Sequence, residues 1–329
     1  MRIVARQNPV HFVKAKQNDL PPRYLQIETK YSVISPGTEL NMIQKSKDQE
    51  WFLGYSASGI VVACGEDVSE EEFQVGDHVA CYGAPYVGHA STLTVPTTLC
   101  AKVPPEVDLH QASLSGIGAI AIHALRKAEL QFGESVVVVG LGLLGQIITQ
   151  IAHTAAYNVI GYDLNEQRAN LLTSTTTIPA VTNREDLEKW ITDQTKGHGV
   201  DAVLLCVGGQ NSPLPEQSLQ WVRKQGKVVI VGAIEPDFPR NLMFAKEADI
   251  RISRAAGPGR YDTVYEKEVI DYPYGYVRWT EGRNVGEFIR LLNDKRVHVD
   301  DLIKEVVHIK QAKDAYQSLL NQQTDVLTK

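Results

Sequence analysis

The sequence predicts an α/β protein: a doubly wound parallel sheet joined to a smaller, β-rich part. Three observations carry this reading. The first 110 or so positions are broken by Gly and Pro into short runs that alternate apolar and polar residues. Beyond them, continuous apolar runs such as Val136–Val139 and VVIV at 228–231 are separated by helical stretches. Such runs suit parallel strands buried on both faces, and alternation of strand and helix implies right-handed crossovers.

The bulk properties agree. At 329 residues the chain has material for two domains. Hydrophobic residues at 43% and charged residues at 22% are ordinary for a globular protein. A formal charge of −6 argues against nucleic-acid binding, which needs a basic face. No apolar run approaches the roughly 18 residues of a membrane span. The opening MRIVARQNPVHFVK lacks an apolar secretory core, so a cytoplasmic protein is expected. The cysteines, Cys64, Cys81, Cys100 and Cys206, form no C-x-x-C pair and read as buried thiols.

Element by element, Leu25, Ile27, Thr29, Tyr31 and Val33 alternate with polar residues, as in a half-buried strand. Gly59–Cys64, Asp77–Tyr82 and Ser91–Val95 follow as short strands of an irregular, mainly antiparallel domain. Asp108 is placed to cap a helix, and a Gly/Ala-rich segment runs from Ala112 to Leu130. Parallel strands are then expected at Ser135–Val139, Asn158–Tyr162, Asp201–Val207 and Lys227–Val231. Helices are expected near Leu143–Ala155, Asn165–Leu172, Arg184–Gln194 and Pro215–Lys224.

The strongest chemical motif lies where the first parallel strand ends. Val136–Val139 runs into Gly140-Leu141-Gly142-Leu143-Leu144-Gly145, and a helix begins at Leu143 and Leu144. Gly140 permits the tight turn, Gly142 lets backbone approach a pyrophosphate, and Gly145 lets helix pack against strand. Asp163 ends the next strand, 23 positions after Gly140, where a carboxylate accepts hydrogen bonds from a dinucleotide ribose. An exposed Asp capping the following helix is the alternative. Arg168, five residues on, serves either the ribose or a 2′-phosphate. NAD is therefore expected, with NADP open. Cys206 and Val207, and Val231 and Gly232, stand where two later strands finish, the edge at which such sheets bind ligands.

With these residues in view, the sequence resembles the medium-chain dehydrogenase/reductase superfamily over essentially the whole chain. The supporting segments are SPGTEL at 35–40, GYSASGIVVACG at 54–65, VGDHVACYG at 75–83, LTVPTTLCAKVP at 93–104 and the glycine fingerprint. GPGRYDTVYEKEVIDYPYGYVRWTEGRN at 257–284 is similar to a subgroup of zinc-binding-dehydrogenase-like proteins. The resemblance implies a discontinuous GroES-like catalytic domain from 1–116 and 254–329, and a Rossmann domain at 117–253. It also implies a homodimer or homotetramer acting on a small-molecule substrate.

The departures from the family pattern are specific. Pro36, Tyr55 and Ser115 stand where zinc-dependent members carry ligands. Zinc takes thiolate, imidazole or carboxylate, so no catalytic zinc is expected. A set rebuilt from Cys81, His89 and Glu39 has no supporting spacing. Without metal, hydroxyl and imidazole groups must handle the proton. Thr38 matches a substrate-contacting Ser/Thr of the family, or is a helix cap with Glu39 in the first turn, where Glu39 can also face substrate. Tyr55 either enters the vacated metal space or packs structurally. His89 either shuttles a proton or is a structural histidine.

Segment 257–284 holds many Tyr and Arg residues, which suit a polyhydroxylated or anionic ligand and equally a lid or subunit contact. Arg254, just before this segment, and Arg260 within it are the substrate candidates. Three activities remain open on sequence: a zinc-free NAD(P) alcohol or polyol dehydrogenase, a reductase of activated C=C bonds, and a nucleotide-binding protein without chemistry.

Overall fold

The structure is a computed structural model that describes residues 2–5, 10–14, 19–46 and 50–321. Met1, residues 6–9 of the opening segment and 322–329 of the expected C-terminal stretch lie outside the described residues. In chain order the first elements are β1 (Arg2–Ala5), β2 (Val10–Val13), β3 (Tyr24–Ser32), α1 (Pro36–Lys45), β4 (Trp51–Phe52) and β5 (Ser56–Cys64). There follow β6 (His78–Tyr82), β7 (Thr92–Pro96), β8 (Cys100–Lys102), α2 (Leu109–Ala112) and α3 (Ser115–Ala128). The middle of the chain holds β9 (Ser135–Val139), α4 (Leu143–Thr154), β10 (Asn158–Tyr162), α5 (Glu166–Thr175), β11 (Ala180–Val181) and α6 (Arg184–Thr195). After it come β12 (Val200–Leu205), α7 (Leu214–Trp221), β13 (Val222–Ile230), α8 (Arg240–Lys246) and β14 (Asp249–Ile252). Three helices close the chain: α9 (Thr263–Glu266), α10 (Glu281–Asn293) and α11 (Ala312–Leu320).

Contacts divide the chain into two compact units. One comprises the described residues of 1–119, 256–295 and 302–321; the other comprises 120–255 and 296–301.

The first unit is built on a five-stranded antiparallel sheet in the order β7-β3-β5-β6-β8. Leu25 and Ile27 of β3 are fully buried, packed with Ala57, Val61, Val79, Leu93 and Val95. The alternation expected along β3 then breaks. A register shift against β5 between Thr29 and Tyr31 leaves Tyr31 exposed. An extra residue in one strand swaps the faces of all that follow, which period alone does not reveal. A second core gathers Ile34, Ile43 and Leu53 around Tyr316 and Leu319 of α11.

The second unit carries a six-stranded parallel sheet in the order β11-β10-β9-β12-β13-β14. Counted within the unit this is 3-2-1-4-5-6, the doubly wound order of dinucleotide-binding folds. Val136, Val137, Val138 and Val139 are all buried, as strands covered on both faces require. Here the helix expected to reach Lys224 stops at Trp221, and Val222 opens β13 by pairing with Val200. Both valines are fully buried, so apolar pairing outweighs the local helical pattern.

Candidate functional site

In the second unit Gly140 and Gly145 have the turn and packing geometry expected of them. Gly140 sits at φ +93°, a left-handed conformation costly for any side chain, and a Cβ there would lie 2.5 Å from Val207 Cγ1. A methyl group at residue 145 would collide with the carbonyl oxygen of Gly140, so only glycine lets α4 start this close to β9. Gly142 is different. Its φ is −66°, and a Cβ added there would meet nothing within 4 Å. Nothing in the backbone demands glycine at 142; what it leaves is open space before the N-terminus of a 12-residue helix. Gly142 caps that helix with no side-chain hydrogen bond, so Leu143 and Leu144 begin it without a protein oxygen from the cap. Open space beside helix N–H groups fits an anionic phosphate pair.

Asp163 lies just past β10 with its side chain 11% exposed. Its Oδ2 accepts the Leu141 N–H at 2.7 Å, and its Oδ1 accepts the Asn165 N–H at 2.8 Å. Arg168 Nη1 is 3.6 Å from Oδ2. The cap of α5 is Asn165, which accepts from the Gln167 and Arg168 N–H groups. Asp163 is thus not the helix cap; it fastens the glycine turn to the end of β10. Gln146, fully buried in the apolar face of α4, donates to the carbonyls of Leu141 at 3.2 Å and Arg168 at 2.8 Å. Gln146 was not among the expected site residues, although a polar residue inside LLGQII is a visible signal.

Cys206 and Val207 fall beyond the end of β12, not within it, with the Cys206 N–H bonded to Val139 O at 2.8 Å. Burial pushes the Cys206 thiol up to about 12, so it is an uncharged wall residue. The Val231 and Gly232 N–H groups both bond Leu205 O, at 3.0 and 2.8 Å. A Cβ at Gly232 would strike the Val207 backbone, which locks these two strand ends together beside Gly140. Arg254, farther along this unit, is exposed.

The first unit holds the remaining candidates. Pro36 begins α1, whose cap is Ser35, and Thr38 lies exposed in the first turn. Half-buried Tyr55 donates its hydroxyl to Ser35 Oγ at 2.7 Å and stands edge-on to Tyr82. Burial raises the phenol to about 12; Glu39 adds to the rise, while hydrogen bonds with Ser35 and Thr38 oppose it. Tyr55 therefore keeps its proton at neutral pH and acts as a donor. Ser35, Thr38 and Tyr55 form one hydroxyl group cluster, and the part played by Ser35 was not foreseen.

His89 precedes β7 in a loop, 4% exposed, with Nε2 3.0 Å from Glu39 Oε2 and Nδ1 2.8 Å from Ser32 Oγ. Both ring nitrogens are engaged away from solvent, one by a hydroxyl and one by a carboxylate. Glu39, the substrate candidate beside Thr38, lies inside the first unit. It is fully buried, Oε1 accepting the Ser35 N–H at 2.7 Å and Oε2 the Gly54 N–H at 3.0 Å, with the Tyr316 hydroxyl also bonded to Oε2. Tyr316 is 277 residues away in sequence, and no local pattern marks such a partner.

The Arg260 side chain is only 9% exposed, paired with Glu266 and bonded to Ala84 O at 2.7 Å, so it ties together the loops that hold these residues. Cys81 and Cys100 are buried, whereas Cys64 and Cys206 are half-buried; all four are free. Among the described residues, no three His, Cys, Asp or Glu side chains are grouped to hold a metal ion. At the positions where the family resemblance implies zinc ligands, Pro36 offers no donor, the Tyr55 phenol stays protonated, and the buried Ser115 Oγ has no partner. This set does not fit zinc.

Residues 144–268 match the zinc-binding dehydrogenase family. D-xylulose reductase A of Aspergillus oryzae is 24% identical over 302 residues, covering 81% of this chain and 76% of the relative. Sorbitol dehydrogenase of Halalkalibacterium halodurans is 24% identical over 300 residues, covering 81% and 79%. In fold, the chain superposes on 2R,3R-butanediol dehydrogenase from Bacillus subtilis with a TM-score of 0.77 at 18% identity, over 99% of this chain and 97% of that one.

Proposed function

The chain carries a zinc-binding dehydrogenase domain and has its relatives in the medium-chain dehydrogenase/reductase family; from that premise we propose that it moves a hydride between NAD(P) and a small alcohol, polyol or ketone without catalytic zinc. One observation carries the reading: Gly142 leaves open space at an uncapped helix N-terminus, between two glycines whose own geometry is obligatory. Relatives named for xylulose and sorbitol chemistry support the substrate class.

The bound nicotinamide would supply the hydride acceptor or donor. The chain's own residues do the rest. The turn at 140–145 and the first turn of α4 hold the pyrophosphate, and Asp163 with Arg168 holds the adenosine ribose. The Asp163 charge favours NAD over NADP. In the first unit, Tyr55 keeps a proton on its oxygen at neutral pH and, with Thr38, offers hydroxyl groups to a substrate oxygen. Ketone reduction needs a proton at that oxygen, and alcohol oxidation needs it removed. Glu39 and His89 fix the start of α1 and so the place of Thr38.

A closed homodimer or homotetramer follows the commonest symmetry of soluble oligomers. Four unpaired thiols suit a reducing, cytoplasmic compartment. Among the described residues no helix is long and apolar enough to cross a membrane. The test is a spectrophotometric screen of NAD and NADP with polyols, sugars and ketones, with elemental analysis of the same preparation. Cofactor turnover that survives chelation supports the proposal. One tightly held zinc per chain, or no cofactor turnover with any substrate class, rejects it.

A further inference from the structure

Arg260, Glu266 and Glu281 form a buried cluster in the first unit that the proposed chemistry does not use. Arg260 pairs with Glu266, and Glu266 Oε1 also accepts the Tyr261 N–H at 3.0 Å. That uses one guanidinium on one carboxylate. Glu281, the first residue of α10, is fully buried, and no protein N–H or O–H donates to either of its oxygens. Its carboxyl faces that of Glu266, to which it can donate only while it keeps its own proton. Two ionised carboxylates beside one guanidinium would leave a net buried charge, which the interior strongly disfavours. Burial raises the Glu281 carboxyl to about 9; the Arg260 charge opposes the rise, and the Glu266 charge and hydrogen bond add to it. The titratable groups around it are Arg260, Glu266 and Tyr265 of α9, Tyr82 of β6, and Tyr272. The three tyrosines are held above their ordinary range, so they stay neutral while Glu281 titrates.

The cluster connects to the candidate site. Arg260 Nη2 donates to Ala84 O at 2.7 Å. Its neighbour Gly83 donates its N–H to Tyr55 O at 2.9 Å and accepts from the Tyr86 and Val87 N–H groups. The arginine thus clamps the loop after β6, and that loop fixes the backbone of Tyr55. The turn that presents Arg260 is itself unusual, with Tyr261 in left-handed backbone at φ +67°.

We infer that Glu281 is carried as a neutral carboxylic acid beside the Arg260–Glu266 pair, and that its ionisation is a switch that draws Arg260 from Ala84 and loosens the loop under Tyr55. The link to turnover rests on the proposed role of Tyr55; the clamp itself does not. The sign follows from linkage. A carboxyl raised in the folded state stabilises fully below its unfolded pKa, and that stabilisation is lost as pH rises through the folded value. The window is therefore about pH 4.5 to 9.

The experiment compares wild type with Glu281→Gln, and with Glu281→Met in case the amide does not fold. Urea unfolding is measured from pH 5 to 9, and amide exchange protection of loop 83–89 from pH 7 to 10. The variant's folding constant should gain on wild type about tenfold per pH unit. Wild type should lose protection at the Gly83 amide near pH 9, and the variants should keep it. If turnover is detected, its alkaline fall should be absent from the variants. Parallel stability curves, or loop protection that falls equally in all three proteins, would overturn the inference. Loss of the turnover effect alone, with the stability and exchange effects present, would instead reject the role of Tyr55.

Discussion

Nε2 of His89 stands 3.0 Å from Oε2 of Glu39, and both side chains are out of water. The pair closes a network in which Ser35, Gly54 and Tyr316 also donate to the carboxylate. Truncating Glu39 strands all of these donors at once. Glu39→Ala should cost about 3–5 kcal/mol of folding stability, the range for breaking a buried pair. Denaturant unfolding checks this, and a loss under about 1 kcal/mol would show the network to be dispensable.

His123 in α3 predicts an acid limit. Burial, then Lys127 and Arg126, lowers its pKa to about 4 from an ordinary 6.5. The folded protein binds this proton less readily than the unfolded chain. Stability is thus present above pH 6.5 and is lost as pH falls from 6.5 towards 4. His123→Gln should flatten that part of the pH–stability curve; an unchanged slope would place the acid transition elsewhere.

Tyr55→Phe removes one oxygen and leaves the ring against Tyr82. Turnover should fall about 10²- to 10⁴-fold, as for loss of a general acid or base, with cofactor affinity kept. With its phenol near 12, Tyr55 should also contribute no titration to the rate between pH 6 and 10. Near-wild-type turnover would leave the proton to Thr38, water or the substrate itself.

Asp163→Ser tests cofactor choice. The variant loses both the charge and the bonds to Leu141 and Asn165. NAD affinity should drop and discrimination against NADP should relax, read from the two dissociation constants. A wild-type protein that binds NADPH markedly tighter than NADH contradicts the assignment.

Much of the second unit was legible because its signals are local. Val136–Val139, Gly140, Gly142, Gly145 and Asp163 lie within 28 consecutive positions, and each constrains the backbone beside it. The strand β14 was not legible: Asp249–Ile252 alternates charge and apolar residues, and Arg251 is held there by Asp249 and Glu129, whose spacing carries no pattern. The first unit was harder still. Its polar centre joins Ser32, Ser35, Glu39, Tyr55, His89 and Tyr316, brought together only by tertiary packing. His89 and Glu39 are both buried and bonded to each other, which no sequence period reports for a loop histidine. Arg260 follows the same logic, since its partner Ala84 is 176 residues away.

The central claim is that the turn at 140–145 binds a nicotinamide dinucleotide, and Gly142→Ala isolates it. The added methyl meets no atom within 4 Å, and φ is −66°, so folding stability should fall by no more than about 1 kcal/mol, the cost of alanine for glycine at a helix cap. The same methyl fills the space proposed for the pyrophosphate. Calorimetric titration with NADH and NADPH should show binding to wild type and at least a tenfold weaker affinity in Gly142→Ala. Equal affinity in both proteins, or a folded wild type that binds neither cofactor, would contradict the account.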